Sequence, residues 1–134
     1  MDMRVEVVMI PVSDVDRAKA FYEKAGFHLD VDHEMGDTFR VVQFTPPGSA
    51  CSITFGTGLG HDMVPGSIRG IHLVVDDIVA AHKELSEAGI EVADVFHFEN
   101  GQRTPGPDPE RNKFNSFSDF ADPDGNTFVL QEVP

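Results

Sequence analysis

The chain repeats itself, and an internal repeat constrains architecture more tightly than local propensity does. Shifted by 63 positions, VVMIPVSDVDRAKAFYEKAGFHL (7–29) lies over GIHLVVDDIVAAHKELSEAGIEV (70–92) without a gap. Asp14 then meets Asp77, Ala18 meets Ala81, and Gly26 meets Gly89. Each copy reads as an apolar strand, a carboxylate suited to cap a helix N-terminus, a helix, and a glycine able to take the left-handed conformation that closes it. Val15, Ala18, Phe21 and Tyr22 form the apolar stripe of the first helix; Ile78, Ala81, Leu85 and Ala88 form that of the second. Shifted by 77 positions, TPPGSACSITF (45–55) lies over DPDGNTFVLQE (122–132), so each copy ends in a glycine turn that feeds a last strand.

Between helix and turn, HLDVDHEM, FRVVQF, EVADVFHF and FNSFSDF have strand composition. Each half is therefore βαβββ. The modules span about 3–55 and 70–132, joined by the Gly-rich FGTGLGHDMVPGS stretch (linker about 56–69), within one domain over 1–134. The fold class is α+β: tandem βαβββ modules forming a curved eight-stranded mixed sheet, with helices on the convex face and the concave face left as a cleft.

Asp and Glu number 23 against 10 Lys and Arg, a formal charge of −13. That field repels nucleic-acid phosphates and anionic membrane surfaces, and it favours cationic ligands over anionic ones at long range. Neither nucleic acid nor membrane is an expected partner, and no apolar run approaches bilayer length. The single Cys51 permits no intramolecular disulfide, and the opening MDMRVEVVMIPV lacks the features of a signal peptide; both fit a cytoplasmic setting.

The pattern V-x-D-V-D-R-A-x-x-F-Y-x-x-x-G-F (12–27), then H-L-V-V-D-D-I (72–78) and D-P-D-G-N-T-F-V-L-Q-E (122–132), resembles the vicinal oxygen chelate superfamily, the glyoxalase, bleomycin-resistance and extradiol dioxygenase group. The resemblance covers nearly the whole chain. It implies a U-shaped sheet whose concave face holds a ligand, often in a dimer and often around a divalent metal bound by side chains from the first and last strand of each half. Carried over residue by residue, those four positions fall on Val7, Ser52, Gly70 and Val129. None is a normal metal ligand, and valine and glycine side chains offer no donor atom. No metal and no other cofactor is expected.

Strand periodicity of two assigns the rest of the cleft. Met9, Thr54, His72 and Gln131 share the parity of those four positions, whereas Val8, Ile10, Ile71, Leu73, Ile53, Phe55, Phe128 and Leu130 face the helices. Small, apolar residues with a few polar groups are the usual lining of a small-molecule pocket. His72 is the candidate general base or ligand hydrogen-bond partner; the competing reading is a strand histidine satisfied by its neighbours. The parity of His97 and Asp119 is open, and with His72 they compose a candidate displaced two-His-one-carboxylate set. The stretch ENGQRTPGPDPERNKFNSF (99–117) reads either as a lid over the cleft, with Arg103, Arg111, Lys113 and Phe114 in reach of an anionic group, or as a solvated turn.

Two function classes follow. One is a metal-free binder resembling the bleomycin-resistance branch, holding a small organic molecule in the cleft of a dimer. The other is an enzyme of the same superfamily, a lyase, isomerase or dioxygenase, working through His72 or a rearranged metal site. The uncovered edges of such sheets lead us to expect a homodimer. Light scattering at tens of micromolar is expected to return twice the 14.7 kDa chain mass, and a monomer mass would contradict it.

Overall fold

A computed structural model describes residues 1–134. The element order is β1 (Val7–Met9), α1 (Val15–Lys24), β2 (His28–Met35), β3 (Phe39–Thr45), β4 (Ser52–Thr57), β5 (Ile71–Val75), α2 (Ile78–Glu87), β6 (Phe96–Glu99), β7 (Gln102–Pro105), β8 (Ser116–Ala121) and β9 (Thr127–Glu132). The chain divides into two compact units, Met1–Ile68 with Asp122–Asn126, and Arg69–Ala121 with Thr127–Pro134. The first holds a sheet of order β1-β4-β3-β2 and the second a sheet of order β5-β9-β8-β6-β7. No helix is long and apolar enough to cross a membrane.

Both helices start and stop as the repeat requires. Asp14 caps α1 by accepting from Arg17 N at 3.0 Å. Asp77 caps α2 by accepting from Val79 N and Ala80 N at 3.0 and 3.1 Å. At the other end Gly26 and Gly89 take φ of 88° and 90°. There Phe27 N donates to Tyr22 O and Gly26 N to Glu23 O, and the same pair of bonds recurs as Ile90 N to Leu85 O and Gly89 N to Ser86 O. This is the Schellman closure, and the residue after each glycine, Phe27 or Ile90, is buried against its helix end.

In the first unit Tyr22 is the centre of the core. Its ring lies 5.9 Å from Phe44, 5.6 Å from Phe55 and 5.5 Å from Phe27. Phe44 and Phe55 therefore mark the face of the sheet that α1 covers, together with Val42 and Ile53, and Ser52 and Thr54 lie on the other face. The Tyr22 hydroxyl donates to Asp122 Oδ2 at 2.8 Å, and burial beside that carboxyl group pushes the phenol far above its ordinary range. In the second unit Glu132 Oε2 accepts from Ile78 N, the first residue of α2, at 2.8 Å. Leu130 and Phe128 share that face, and Val129, Gln131 and Thr127 take the opposite one.

Three features depart from the sequence reading. The eight strands become nine, because β7 folds back on β6 as a hairpin within the segment read as a lid or solvated turn. Its turn is Asn100-Gly101, with φ of 51° and 76°, the paired positive values that a two-residue type I′ hairpin needs. The rest of that segment is organised around buried Asp108, which accepts from Glu110 N, Asn112 N and Asn115 Nδ2 at 3.1 to 3.2 Å. Those donors hold its carboxyl group below the ordinary carboxylate range, the Glu110 bond foremost.

The third departure is register. Val7 sits opposite Ser52, but Val129 sits opposite His72 and not Gly70. Gly70 precedes β5, with φ of 75°, and its N–H donates to Thr127 Oγ1 at 2.7 Å. Ser52 and Val129 each stand four residues after their turn glycine, Gly48 and Gly125, yet the last strand of the second module meets its partner two residues out of step with the first. Because two is even, every side chain keeps its face.

Tyr22→Phe keeps the ring packing and removes one hydroxyl donor from buried Asp122. We expect it to lower unfolding free energy by about 1–3 kcal/mol, and Asp122→Ala to lower it more. Unchanged denaturation midpoints for both would show that this bond adds nothing to stability.

Candidate functional site

The helix-free face of each sheet is built by strand alternation, and the two faces differ in chemistry. In the first, Ser52 and Thr54 are buried, and their hydroxyls are engaged within the sheet. Thr45 Oγ1 and Ser52 Oγ share a hydrogen at 2.7 Å, Thr45 also donates to Asp30, Gln43 Nε2 reaches Asp30 Oδ2 at 3.4 Å, and Thr54 Oγ1 donates to Val42 O at 3.0 Å. Val7 and Met9 pair with Ser52 and Thr54 at the β1 edge, Val7 being exposed.

The helix-free face of the second sheet gathers most of the remaining candidates. Val129 on β9 has His72 of β5 on one side and Asp119 of β8 on the other, so the three form a single row across the sheet. Thr127 and Gln131 flank Val129 along its own strand. His72 is exposed, and its Nδ1 lies 2.9 Å from Gly70 O. A carbonyl can only accept, so Nδ1 carries a proton. Asp119 lines a depression of about 370 Å³ with Glu91, Val92, Ala93, Phe120, Ala121 and Thr127.

Beside this row stand aromatic residues that parity arguments from the repeat passed over. Phe96 pairs with Phe117, and Phe117 pairs with Gln131, which places Phe96, Phe98 and Phe117 on the same face. Their rings form one cluster. Phe96 stacks on Phe117 at 5.4 Å between centroids, and Phe98 stands edge-on to both at 5.9 and 5.7 Å. Phe98 is exposed, and Arg103 of β7, opposite Phe98, places its guanidinium carbon 3.6 Å from the Phe96 centroid. The F-x-F alternation at 96–98 and the Asn-Gly turn that follows were the sequence signals for this arrangement.

His97 lies on the other face of the same sheet, opposite Ser116, and is buried. It therefore does not join His72 and Asp119, and no group of three or more His, Cys, Asp or Glu side chains is placed to hold a metal ion. Its Nδ1 donates to Gly106 O at 2.6 Å and its Nε2 faces Glu99 Oε1 at 3.0 Å. Both ring nitrogens face acceptors, so the imidazolium is the form that satisfies the site. The bond to Glu99 first, then that to Gly106, raises its pKa above the ordinary 6.5. Phe114, with φ of 68°, is exposed at the end of the Asp108 turn; its N–H donates to Glu132 O and its carbonyl accepts from Gln131 Nε2 at 3.1 Å.

Because the folded-state pKa of His97 is raised, its contribution to stability is fully present below pH 6.5 and is lost as pH rises through the folded value. We expect an NMR titration to place His97 above 6.5, and His97→Gln to remove the part of the stability decline that falls in that window. A midpoint at or below 6.5 would contradict the charged hydrogen-bonded pair.

Comparison with known proteins agrees with this architecture. Residues 4–130 match the family model described as Glyoxalase/Bleomycin resistance protein/Dioxygenase superfamily. The crystal structure of TnmS3, described as an antibiotic binding protein from Streptomyces sp. CB03234, superposes with a TM-score of 0.74 at 32% identity, covering 99% of this chain and 98% of that one. A superfamily member from Sphaerobacter thermophilus DSM 20745 gives 0.71 at 30% identity, with 98% of each chain covered. The uncharacterized protein YetH of Bacillus subtilis (strain 168) is 26% identical over 136 residues, which is 98% of this chain and 100% of that protein.

Proposed function

Because the chain belongs to the Glyoxalase/Bleomycin resistance protein/Dioxygenase superfamily, we propose that it binds a planar aromatic small molecule on the helix-free face of its second sheet, as a homodimer, without a metal and without turnover. The observation that carries this reading is the Phe96–Phe98–Phe117 cluster, whose Phe98 ring is exposed on a face that no helix covers. Stacking or edge contact with a flat ligand contributes about 0.5–1.5 kcal/mol per ring pair beyond area burial. His72, Asp119, Val129, Gln131 and Phe114 complete the contact surface on that sheet, with Gly70 as further expected lining; Val7, Met9, Ser52 and Thr54 lie on the first sheet and are not part of this surface. His97 is left out, since it is buried on the opposite face.

The donor chemistry at the family metal positions supports the metal-free reading. Val7, Gly70 and Val129 have no donor atom, and the Ser52 hydroxyl is engaged by Thr45. A divalent ion needs several His, carboxylate or thiolate groups converging at about 2.0–2.6 Å. TnmS3, at 32% identity, is described as antibiotic binding, and sequestration of such a molecule is the role we propose here.

A second reading rests on His72. With Nδ1–H committed to Gly70 O, Nε2 is the ring nitrogen left for acid–base work one strand from Val129, and Asp119 lies on the other side of the same row. A metal-free lyase or isomerase is the enzyme that arrangement serves.

The test is a thermal-shift and NMR screen against planar aromatic antibiotics, using protein with and without chelator treatment, followed by mass analysis of the recovered ligand. We expect binding unaffected by chelation, the ligand returned intact, and Phe98→Ala weakening affinity by about 2- to 13-fold. His72→Ala is expected to weaken binding by less than about tenfold. Ligand conversion that falls by about 10²–10⁴ in His72→Ala would establish the enzyme instead, and stoichiometric metal in the purified protein would overturn the metal-free site.

A further inference from the structure

We propose that Arg103 recognises a carboxylate on the ligand, so that the molecule bound is a planar aromatic acid; this rests on the aromatic-face reading above. Of the ten Lys and Arg residues, Arg17, Lys19, Arg40, Lys83 and Arg111 pair with carboxylates, whereas Arg103, like Arg4, Lys24, Arg69 and Lys113, enters no ion pair; what distinguishes Arg103 is its place on the aromatic cluster. It is held over the Phe96 ring at 3.6 Å.

That placement suits anion recognition. A guanidinium carbon held 3.6 Å above a ring centroid restricts where the head group sits, so the group that would take a carboxylate is localised before the ligand arrives. Pre-ordering reduces the rotamer entropy lost on binding. Phe98 is its cross-strand partner, and Phe117 lies beyond Phe96, so a flat ring resting against Phe98 and Phe117 brings a substituent at its edge to the Arg103 fork. The formal charge of −13 opposes anions at long range. Salt at physiological strength screens exposed charges beyond about 8 Å, however, so the direct charge-assisted bond decides affinity and the overall field mainly slows encounter. The depression lined by Glu91 and Asp119 has the opposite preference, and a cationic ligand would choose it over Arg103.

The experiment is equilibrium binding, by fluorescence anisotropy, of three matched probes: anthracene carboxylate, the neutral anthracenyl methanol and the cationic anthracenyl methylamine. The wild-type protein is expected to bind the carboxylate about tenfold more tightly than the alcohol. Arg103→Gln should reduce that preference to within about twofold, and Arg103→Lys should lose most of it, because a lysine keeps the charge without the planar fork. Affinity for the alcohol should change little in either variant, which separates loss of the fork from damage to the sheet. Equal binding of all three probes, or tightest binding of the methylamine, overturns the role of Arg103 and leaves the aromatic face standing. Failure of every probe to bind wild-type protein overturns the aromatic face and Arg103 together.

Discussion

Asp122 is a buried carboxyl group surrounded by donors. It accepts from the Tyr22 hydroxyl, from Asn126 Nδ2, and from the backbone N–H groups of Asp124 and Asn126, all between 2.8 and 3.0 Å. Asn126 in turn donates to Pro11 O and accepts from Ile68 N. Leaving such polar groups buried without partners costs on the order of 1–3 kcal/mol each, so the set is stable only when complete. The D-P-D-G-N turn is flanked by β8 and β9 of the second unit, yet its residues pack in the first, on the tyrosine at the centre of that core. The F-Y of the first helix and the D-P-D-G of the last turn, separate in the sequence, are thus two ends of one hydrogen-bonded assembly.

With those ends set, the sheets divide their side chains by alternation. The α1 face takes Phe44 and Phe55, and the α2 face takes Phe128, Leu130 and Glu132, leaving the opposite faces for polar and aromatic residues. On the helix-free face of the first module the Thr45, Ser52 and Thr54 hydroxyls are engaged within the sheet. The second places an open row of His72, Val129 and Asp119 beside a phenylalanine cluster. Contact area and a few directional groups are both present on the second face, the usual make-up of a small-molecule site.

The 99–117 segment makes that asymmetry possible. Its Asn-Gly hairpin extends the second sheet by a strand the first lacks, and that strand carries Arg103. On the reverse side His97 clips the hairpin to Gly106 and Glu99, and Asp108 closes the following turn. The Arg111 guanidinium then reaches Glu132 at 2.7 Å, binding the turn to the last strand. Reading the segment as a loop underestimated it because prolines and charges dominate its composition, whereas its structure is set by one dipeptide and one buried aspartate.

Much of this was legible in the residues themselves. The two helices, the Asp14 and Asp77 caps, the glycine closures and the faces taken by residues of β1, β4, β5 and β9 follow from short-range rules: a carboxylate one turn from free N–H groups, a left-handed residue that only glycine adopts cheaply, and an alternation of period two. The absence of donor atoms at Val7, Gly70 and Val129 was equally plain. Tertiary structure decided what those rules cannot distinguish. A period of two is blind to a shift of two, so only strand pairing in the folded sheet sets His72 and not Gly70 beside Val129. The face of His97 likewise depended on where β6 meets β8, and the Tyr22–Asp122 bond on a contact between residues 100 positions apart, for which no local pattern carries a signal.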